Sequence, residues 1–311
     1  MTTIIPDYLE RPQCDTIKGF FILLVFFSHF MQYVAKSGGP IFSLGIGQLV
    51  VACFLFYSGY GVMEQIKKWG DSYVRAIPKR RILSTLINFD VAVLVFLFAG
   101  FVLGHQLTVK QVLYSFIAWD SVGNSNWYIF VILLCYLFTY IVALCRKRFV
   151  GGTILLLSVI GVYILSCVKE SWWYDTMLCF PAGVAYSEYK SRIETLCERY
   201  YPYVLCGATA ILGILFVRCP FARGLGANVM AIIFAIVIVL ITMRVRIRSG
   251  VLQWCGQRLF PIYIFQRLPM VCLYSVDPEG FGTYRAILYF LISSVVTGCI
   301  AFYYPRWQFK L

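Results

Sequence analysis

Charge is scarce in this chain. Of 311 residues only 13% are Asp, Glu, Lys or Arg, and the 14 acidic side chains are outnumbered by 27 basic ones. A folded surface facing water on all sides needs roughly twice that share, so a soluble domain is excluded. Histidine is scarcer still, with two residues, His29 and His105. The 12 cysteines stand singly, mostly inside apolar runs, with no C-x-x-C pair. That pattern argues against a metal site or a disulfide framework and reads as buried thiols acting as small hydrophobes. Internal repeats and low-complexity tracts are missing as well. The first apolar run has no small-residue cleavage site, which predicts a retained span and not a removed leader.

What the chain has is hydrocarbon. Hydrophobic residues make up 60% and aromatics 18%, and the mean hydropathy is +0.78. Apolar runs of about 17–25 residues, the length that crosses a bilayer as a helix, recur from end to end. They predict an all-α, polytopic integral membrane protein: a single transmembrane domain over 1–311 with no soluble domain. Spans are expected near 16–34, 44–66, 82–104, 127–145, 151–168, 174–189, 202–217, 225–243, 251–274 and 284–304.

The net charge of +13 sits in short clusters between these runs, where it sets orientation and does not signal nucleic acid. Placing Lys67, Lys68, Lys79, Arg80, Arg81, Arg146, Lys147, Arg148, Arg244, Arg246 and Arg248 inside requires that 107–118 does not cross. The expected topology is therefore ten spans, both termini cytoplasmic, and one short extra helix on the outer side. Trp127, Trp172 and Trp173 then fall at the outer interface, where amphipathic rings belong.

Ionisable groups inside spans are costly and each needs a partner or a function. The first span, DTIKGFFILLVFFSHF, holds three. Lys18 and His29 are eleven residues apart, about three helical turns with roughly 20° left over, so they share a face about 16 Å apart. Asp15 lies on the same stripe. Both ends of the stripe could line one groove, with His29 taking a proton from a hydroxyl; the plainer alternative is an Asp15–Lys18 ion pair and a His29 that bonds a neighbouring span. Asn88 and Asp90 point in different directions from the third span. Lys79, Arg80 and Arg81 at its inner mouth serve either topology or phosphate binding. Arg258 and Arg267, flanking Pro261 and Tyr263, suggest a water-filled or anion-lined cavity, the plainer alternative for Arg258 being a side chain that snorkels to the inner surface.

Together these positions resemble the membrane-bound acyltransferase family 3, bacterial multispan O-acyltransferases that pass acyl groups, most often acetyl, to envelope sugars. That family's first span has an aspartate, then a basic residue, then histidine after ten residues; here these are Asp15, Lys18 and His29, with lysine where arginine is usual. Phe54-Leu55-Phe56-Tyr57-Ser58-Gly59-Tyr60 resembles its aromatic-x-Ser-Gly-aromatic stretch, and Lys79-Arg80-Arg81-Ile82 its basic entry to the third span. Asn126-Trp127-Tyr128 and Phe180-Pro181-Ala182-Gly183 are weaker landmarks. In the late stretch Gly256 to Gln266, Leu259 and Gln266 stand where serine and histidine are usual.

The resemblance implies acyl-CoA, acetyl-CoA foremost, as donor substrate, with its phosphates held by Lys18, Lys79, Arg80 and Arg81, and no metal. His29 would act as general base or carry the acyl group transiently, with Asp15 orienting Lys18. Ser58, Asp90, Trp127, Arg258, Tyr263 and Gln266 are the other candidate cavity residues. The implied partners are a glycan or lipid-linked sugar acceptor, the bilayer of a bacterial inner membrane and, where the acyl group is handed on, a separate extracytoplasmic transferase. Two rival readings are a transporter of an envelope lipid or anion, which ten spans and buried charges suit equally on composition, and a silent relative acting in membrane assembly.

Overall fold

The computed structural model describes residues 4–39, 47–145, 150–219 and 222–310. Arg146, Lys147 and Arg148, which the charge argument used, lie outside the described residues. All regular elements are helical: α1 (Arg11–Lys36), α2 (Gly47–Trp69), α3 (Asp71–Ile77), α4 (Ser84–Val102), α5 (Val109–Ser115), α6 (Trp127–Cys145), α7 (Val150–Val168), α8 (Cys179–Arg218), α9 (Leu225–Arg244), α10 (Gly250–Gln257), α11 (Leu259–Phe265), α12 (Arg267–Val276) and α13 (Arg285–Tyr303). Among the described residues, nine helical stretches are long and apolar enough to cross a membrane. The chain is a multi-pass membrane protein.

The difference from ten expected spans lies in α8, a 40-residue run whose backbone leaves helical geometry at Tyr200, two residues before Pro202. A straight helix of that length would be about 60 Å long, twice the hydrocarbon thickness. Its contacts show what happens instead. At its start the Leu178 N–H donates to Asn228 Oδ1 at 2.8 Å, and the Gly224 N–H donates to Asp175 Oδ1 at 2.6 Å, so residues 175–178 adjoin the start of α9. Halfway along, the Tyr201 hydroxyl donates to the Leu240 carbonyl at 2.8 Å, beside the end of α9. The first arm therefore runs parallel to α9, and the chain from Tyr201 must return to Gly224 along the second arm. The two expected spans 174–189 and 202–217 are the arms of this bent helix.

With that reversal counted, the crossings alternate consistently and both described ends lie on one face. The N-terminal segment is held to the end of α9 by Ile5 N–H to the Met243 carbonyl, at 2.8 Å. The C-terminal tail is held to the start of α4 by a reciprocal pair, Asn88 Nδ2 to the Phe309 carbonyl at 2.9 Å and Phe309 N–H to Asn88 Oδ1 at 3.0 Å. This face also carries Lys67, Lys68, Lys79, Arg80 and Arg246, and is called the basic face below.

Two close crossings knit the bundle centre. A methyl on Gly19 would lie 1.7 Å from the Leu252 carbonyl oxygen, and one on Gly256 1.8 Å from that of Asp15, so α1 and α10 touch backbone to backbone. Gly59 and Gly183 do the same for α2 and α8. Small residues permit this packing, which compensates for the missing hydrophobic drive between helices in lipid. Elsewhere Phe98, Phe101, Tyr163, Tyr203 and Ile287 are exposed on α4, α7, the second arm of α8 and α13, the apolar surface that a bilayer requires of a spanning helix.

The expected span 251–274 is broken into α10, α11 and α12. Pro261 and Pro269 each lack an N–H and each enters the third position of a new piece, freeing the carbonyls of Gln257 and Phe265. Arg258 sits at the first break with φ −109° and ψ 21°. The segment 107–118 forms the short α5, started by a capping box in which Thr108 Oγ1 accepts from the Gln111 N–H and Gln111 Oε1 accepts from the Thr108 N–H. It is too short to cross.

Candidate functional site

On the face opposite the basic one, a cavity of about 800 Å³ opens between the upper turns of α1, the start of α2, the 118–127 and 169–173 connections, and the α11–α12 junction. Ser28, His29 and Gln32 project into it from α1, and Gln48 from the first turn of α2. Tyr263 and Arg267 face it across the broken span, and Asp120, Asn124, Asn126, Trp127, Lys169, Glu170, Trp172 and Trp173 form its rim. A few convergent polar groups in a concave site of this size are what a small-molecule or sugar pocket requires.

The rim is built and not merely exposed loop. Ala118 holds a positive φ of 57°, rare without glycine, and the Asn126 side chain fixes it by donating to the Ala118 carbonyl at 3.0 Å. Asn124 Oδ1 accepts from the Val122 N–H at 3.2 Å. Lys169 donates to the Trp119 carbonyl at 2.7 Å, with its ammonium 4.2 Å and 4.3 Å from the ring centroids of Trp119 and Trp173. Desolvation between these rings lowers the Lys169 pKa, partly offset by Asp120 and Glu170.

His29 is half-buried on the cavity wall, and its Nδ1 is buried with no hydrogen-bond partner among the described residues. The Arg267 guanidinium is close enough to act on it electrostatically and stands 5.8 Å over the Tyr33 ring. Below the cavity, Tyr263 packs edge-on to Tyr128 with ring centroids 5.2 Å apart. Ser58 interacts with the hydroxyls of Tyr128 and Tyr136. Arg81 donates from Nε to the Tyr73 hydroxyl at 3.1 Å and also adjoins Tyr136. A buried column of Arg81, Tyr136, Ser58, Tyr128 and Tyr263 thus runs from the basic face to the cavity floor.

The structure brings His29, Trp127 and Tyr263 together around one cavity. It does not bring Lys18 there. Lys18 Nζ lies 3.9 Å from Asp15 Oδ1 and 5.8 Å from the centroid of Tyr57, and Asp15 also meets Arg11 at 3.5 Å. The expected groove lined by both ends of the stripe is not the one seen: Lys18 is not among the residues lining the cavity, and at its end of the stripe α10 packs on Asp15 and Gly19 while Tyr57 stands beside the half-buried Lys18.

Other expected cavity residues also lie elsewhere. Ser58 is in the column. Gln266 is fully buried and turned back, its Nε2 donating to the Tyr263 carbonyl at 3.2 Å. Arg258 is one half-span away and stacks on Trp254 at 4.6 Å. Asp90 is half-buried on α4 with Oδ1 unpartnered among the described residues. Lys79 and Arg80 are exposed on the π-helical turn Pro78–Leu83, while Arg81 turns inward.

Sequence reasoning missed Gln32, Gln48, Asn124, Lys169 and Glu170 as cavity residues. The available signal was the polar stretch Asp120-Ser121-Val122-Gly123-Asn124-Ser125-Asn126, set directly against an apolar span.

No curated protein and no solved structure shows a significant match. A family model described as an acyltransferase domain matches residues 11–304, from the first residue of α1 to the turn that closes α13. The whole bundle that encloses the His29 cavity is therefore the family's own domain, and the chain belongs to acyltransferase family 3.

Proposed function

We propose that the protein is a membrane-embedded O-acyltransferase of a bacterial inner membrane, moving an acyl group, acetyl foremost, from cytoplasmic acyl-CoA to a hydroxyl of an envelope glycan or lipid-linked sugar. The observation that carries this reading is His29: a half-buried imidazole whose Nδ1 has no partner among the described residues, on the wall of an open cavity that several polar side chains also line. An imidazole left without a fixed partner is available to a substrate proton.

In this reading His29 takes the proton of the acceptor hydroxyl as its oxygen attacks the thioester carbonyl. The C–O bond forms, the C–S bond breaks, and the departing CoA thiolate takes the proton back from His29. The alternative order, in which His29 first carries the acyl group, uses the same atoms in two steps. The thioester is already activated, so no ATP is needed. Lys18, Lys79 and Arg80 near the basic face supply positive charge for the CoA phosphates, and the column from Arg81 to Tyr263 marks the direction in which the pantetheine arm would reach the cavity. Rings of Trp127 and Trp172, with the amides of Gln32, Gln48 and Asn126, offer the stacking faces and hydrogen bonds that a sugar uses.

The test is transfer of labelled acetyl from acetyl-CoA to envelope material by membranes carrying wild type or His29→Ala at matched expression. Transfer in the wild type that falls about 10²–10⁴-fold in the variant is expected of a lost general base. Absence of both transfer and acetyl-CoA binding in the wild type would overturn the reading and favour a carrier.

A further inference from the structure

Among the described residues, Arg267 is the cavity-lining cation that no carboxylate pairs with. It opens α12 just past the second break of the late span and faces the same space as His29. Its Nε is buried without a hydrogen-bond partner, and no ion pair among the described residues includes it. The two carboxylates that line the cavity, Asp120 and Glu170, are at the rim and act on Lys169. Tyr33 offers Arg267 only a ring face at 5.8 Å. A guanidinium in a low-dielectric site with donors unspent is a poor structural element, because its desolvation is not compensated. It is a good receptor for negative charge that appears beside it.

We propose that Arg267 is a catalytic residue, the donor that stabilises the oxyanion of the tetrahedral intermediate formed when the acceptor attacks the acyl carbonyl. The inference rests on the acyl-transfer reading. When the acceptor oxygen adds to the thioester, the carbonyl π electrons move onto its oxygen, giving an alkoxide between His29, which holds the transferred proton, and Arg267. When the C–S bond breaks, the electrons return to the carbonyl and the charge leaves with the thiolate, which His29 reprotonates. Arg267 neither gains nor loses a proton. A preorganised donor aimed at developing charge, in a site partly screened from water, is among the largest contributions to such steps.

The test uses the full-length protein in lipid nanodiscs, with acetyl-CoA varied against a fixed saturating preparation of envelope acceptor, and then the acceptor varied in turn. Arg267→Gln is expected to lower kcat about 10²–10³-fold, with KM for both substrates changed less than a few-fold and the unfolding midpoint retained. Arg267→Lys, which keeps the charge but loses the planar fork, should recover part of that loss. If Arg267→Gln does not fold, Arg267→Lys carries the test by falling below wild type in kcat at unchanged KM.

A kcat equal to wild type in the folded variant overturns the assignment. So does a raised acceptor KM with kcat intact, which would make Arg267 a binding point for an anionic group on the acceptor. Failure of the wild type to transfer at all overturns the acyl-transfer reading and this assignment with it, and is distinguished by needing no variant.

Discussion

Gly59 and Gly183 set α2 and α8 backbone against backbone: a methyl on Gly59 would lie 2.0 Å from the Phe180 carbonyl oxygen, and one on Gly183 2.0 Å from that of Phe56. Neither neighbour is a flexible side-chain end, so relief requires the helices to part. Gly59→Ala and Gly183→Ala are each expected to cost at least the ~1–3 kcal/mol typical of overpacking. Gly152→Ala, where nothing lies within 4 Å of the added methyl, is the control and should be neutral or stabilising. Thermal unfolding in detergent reads the difference; wild-type midpoints in both crossing variants would mean the helices are not in backbone contact.

Lys18 stands with Asp15 and Tyr57 toward the basic face, away from the His29 cavity. If it holds donor phosphates, Lys18→Gln raises KM for acetyl-CoA severalfold while sparing kcat. Lys18→Arg, which adds a planar two-point grip on phosphate, preserves or lowers that KM. Steady-state kinetics of acetyl transfer distinguishes this from a role in the chemical step, in which kcat would fall at unchanged KM.

Asp277 ties the connection between α12 and α13. It accepts from the Tyr289 hydroxyl and from the Gly280 N–H at 3.1 Å, and pairs with Arg285 Nη1 at 2.6 Å. The Tyr289 hydrogen bond first, then the Gly280 N–H and Arg285, hold its carboxyl below the usual range, against a smaller opposing effect of desolvation. A depressed folded pKa means stability that is present above the unfolded value of about 3.9 and lost as pH falls through the folded one. Hydrogen exchange of 277–284 should therefore be protected at neutral pH and rise on acidification below about pH 4. Asp277→Asn should exchange fast already at pH 7, and a protected loop in that variant would show that the carboxylate does not hold it.

Much of the architecture is legible in the sequence because a bilayer imposes length. Apolar runs give the spans, and the basic clusters forbid 107–118 from crossing, as the short α5 agrees. The α8 reversal is half legible: the polar stretch between 190 and 201 separates two apolar runs, yet helical hydrogen bonding continues to the kink at Tyr200. The late span was expected as one crossing, 251–274; that Pro261 and Pro269 break it, so that Arg267 and Tyr263 turn to one cavity while Gln266 between them turns back into the fold, appears only in the structure.

The sequence by itself determined that this is a helical membrane bundle and that His29 shares a helix face with Lys18 and Asp15, because chain length and a fixed helical period are local quantities. Only the tertiary structure decided which end of that face meets open space. The packing of α10 on Asp15 and Gly19 sets helices against one end, and the 118–127 and 169–173 connections leave the cavity at the other. Periodicity fixes where a side chain points about its own helix axis; what it points at depends on contacts far apart in the chain.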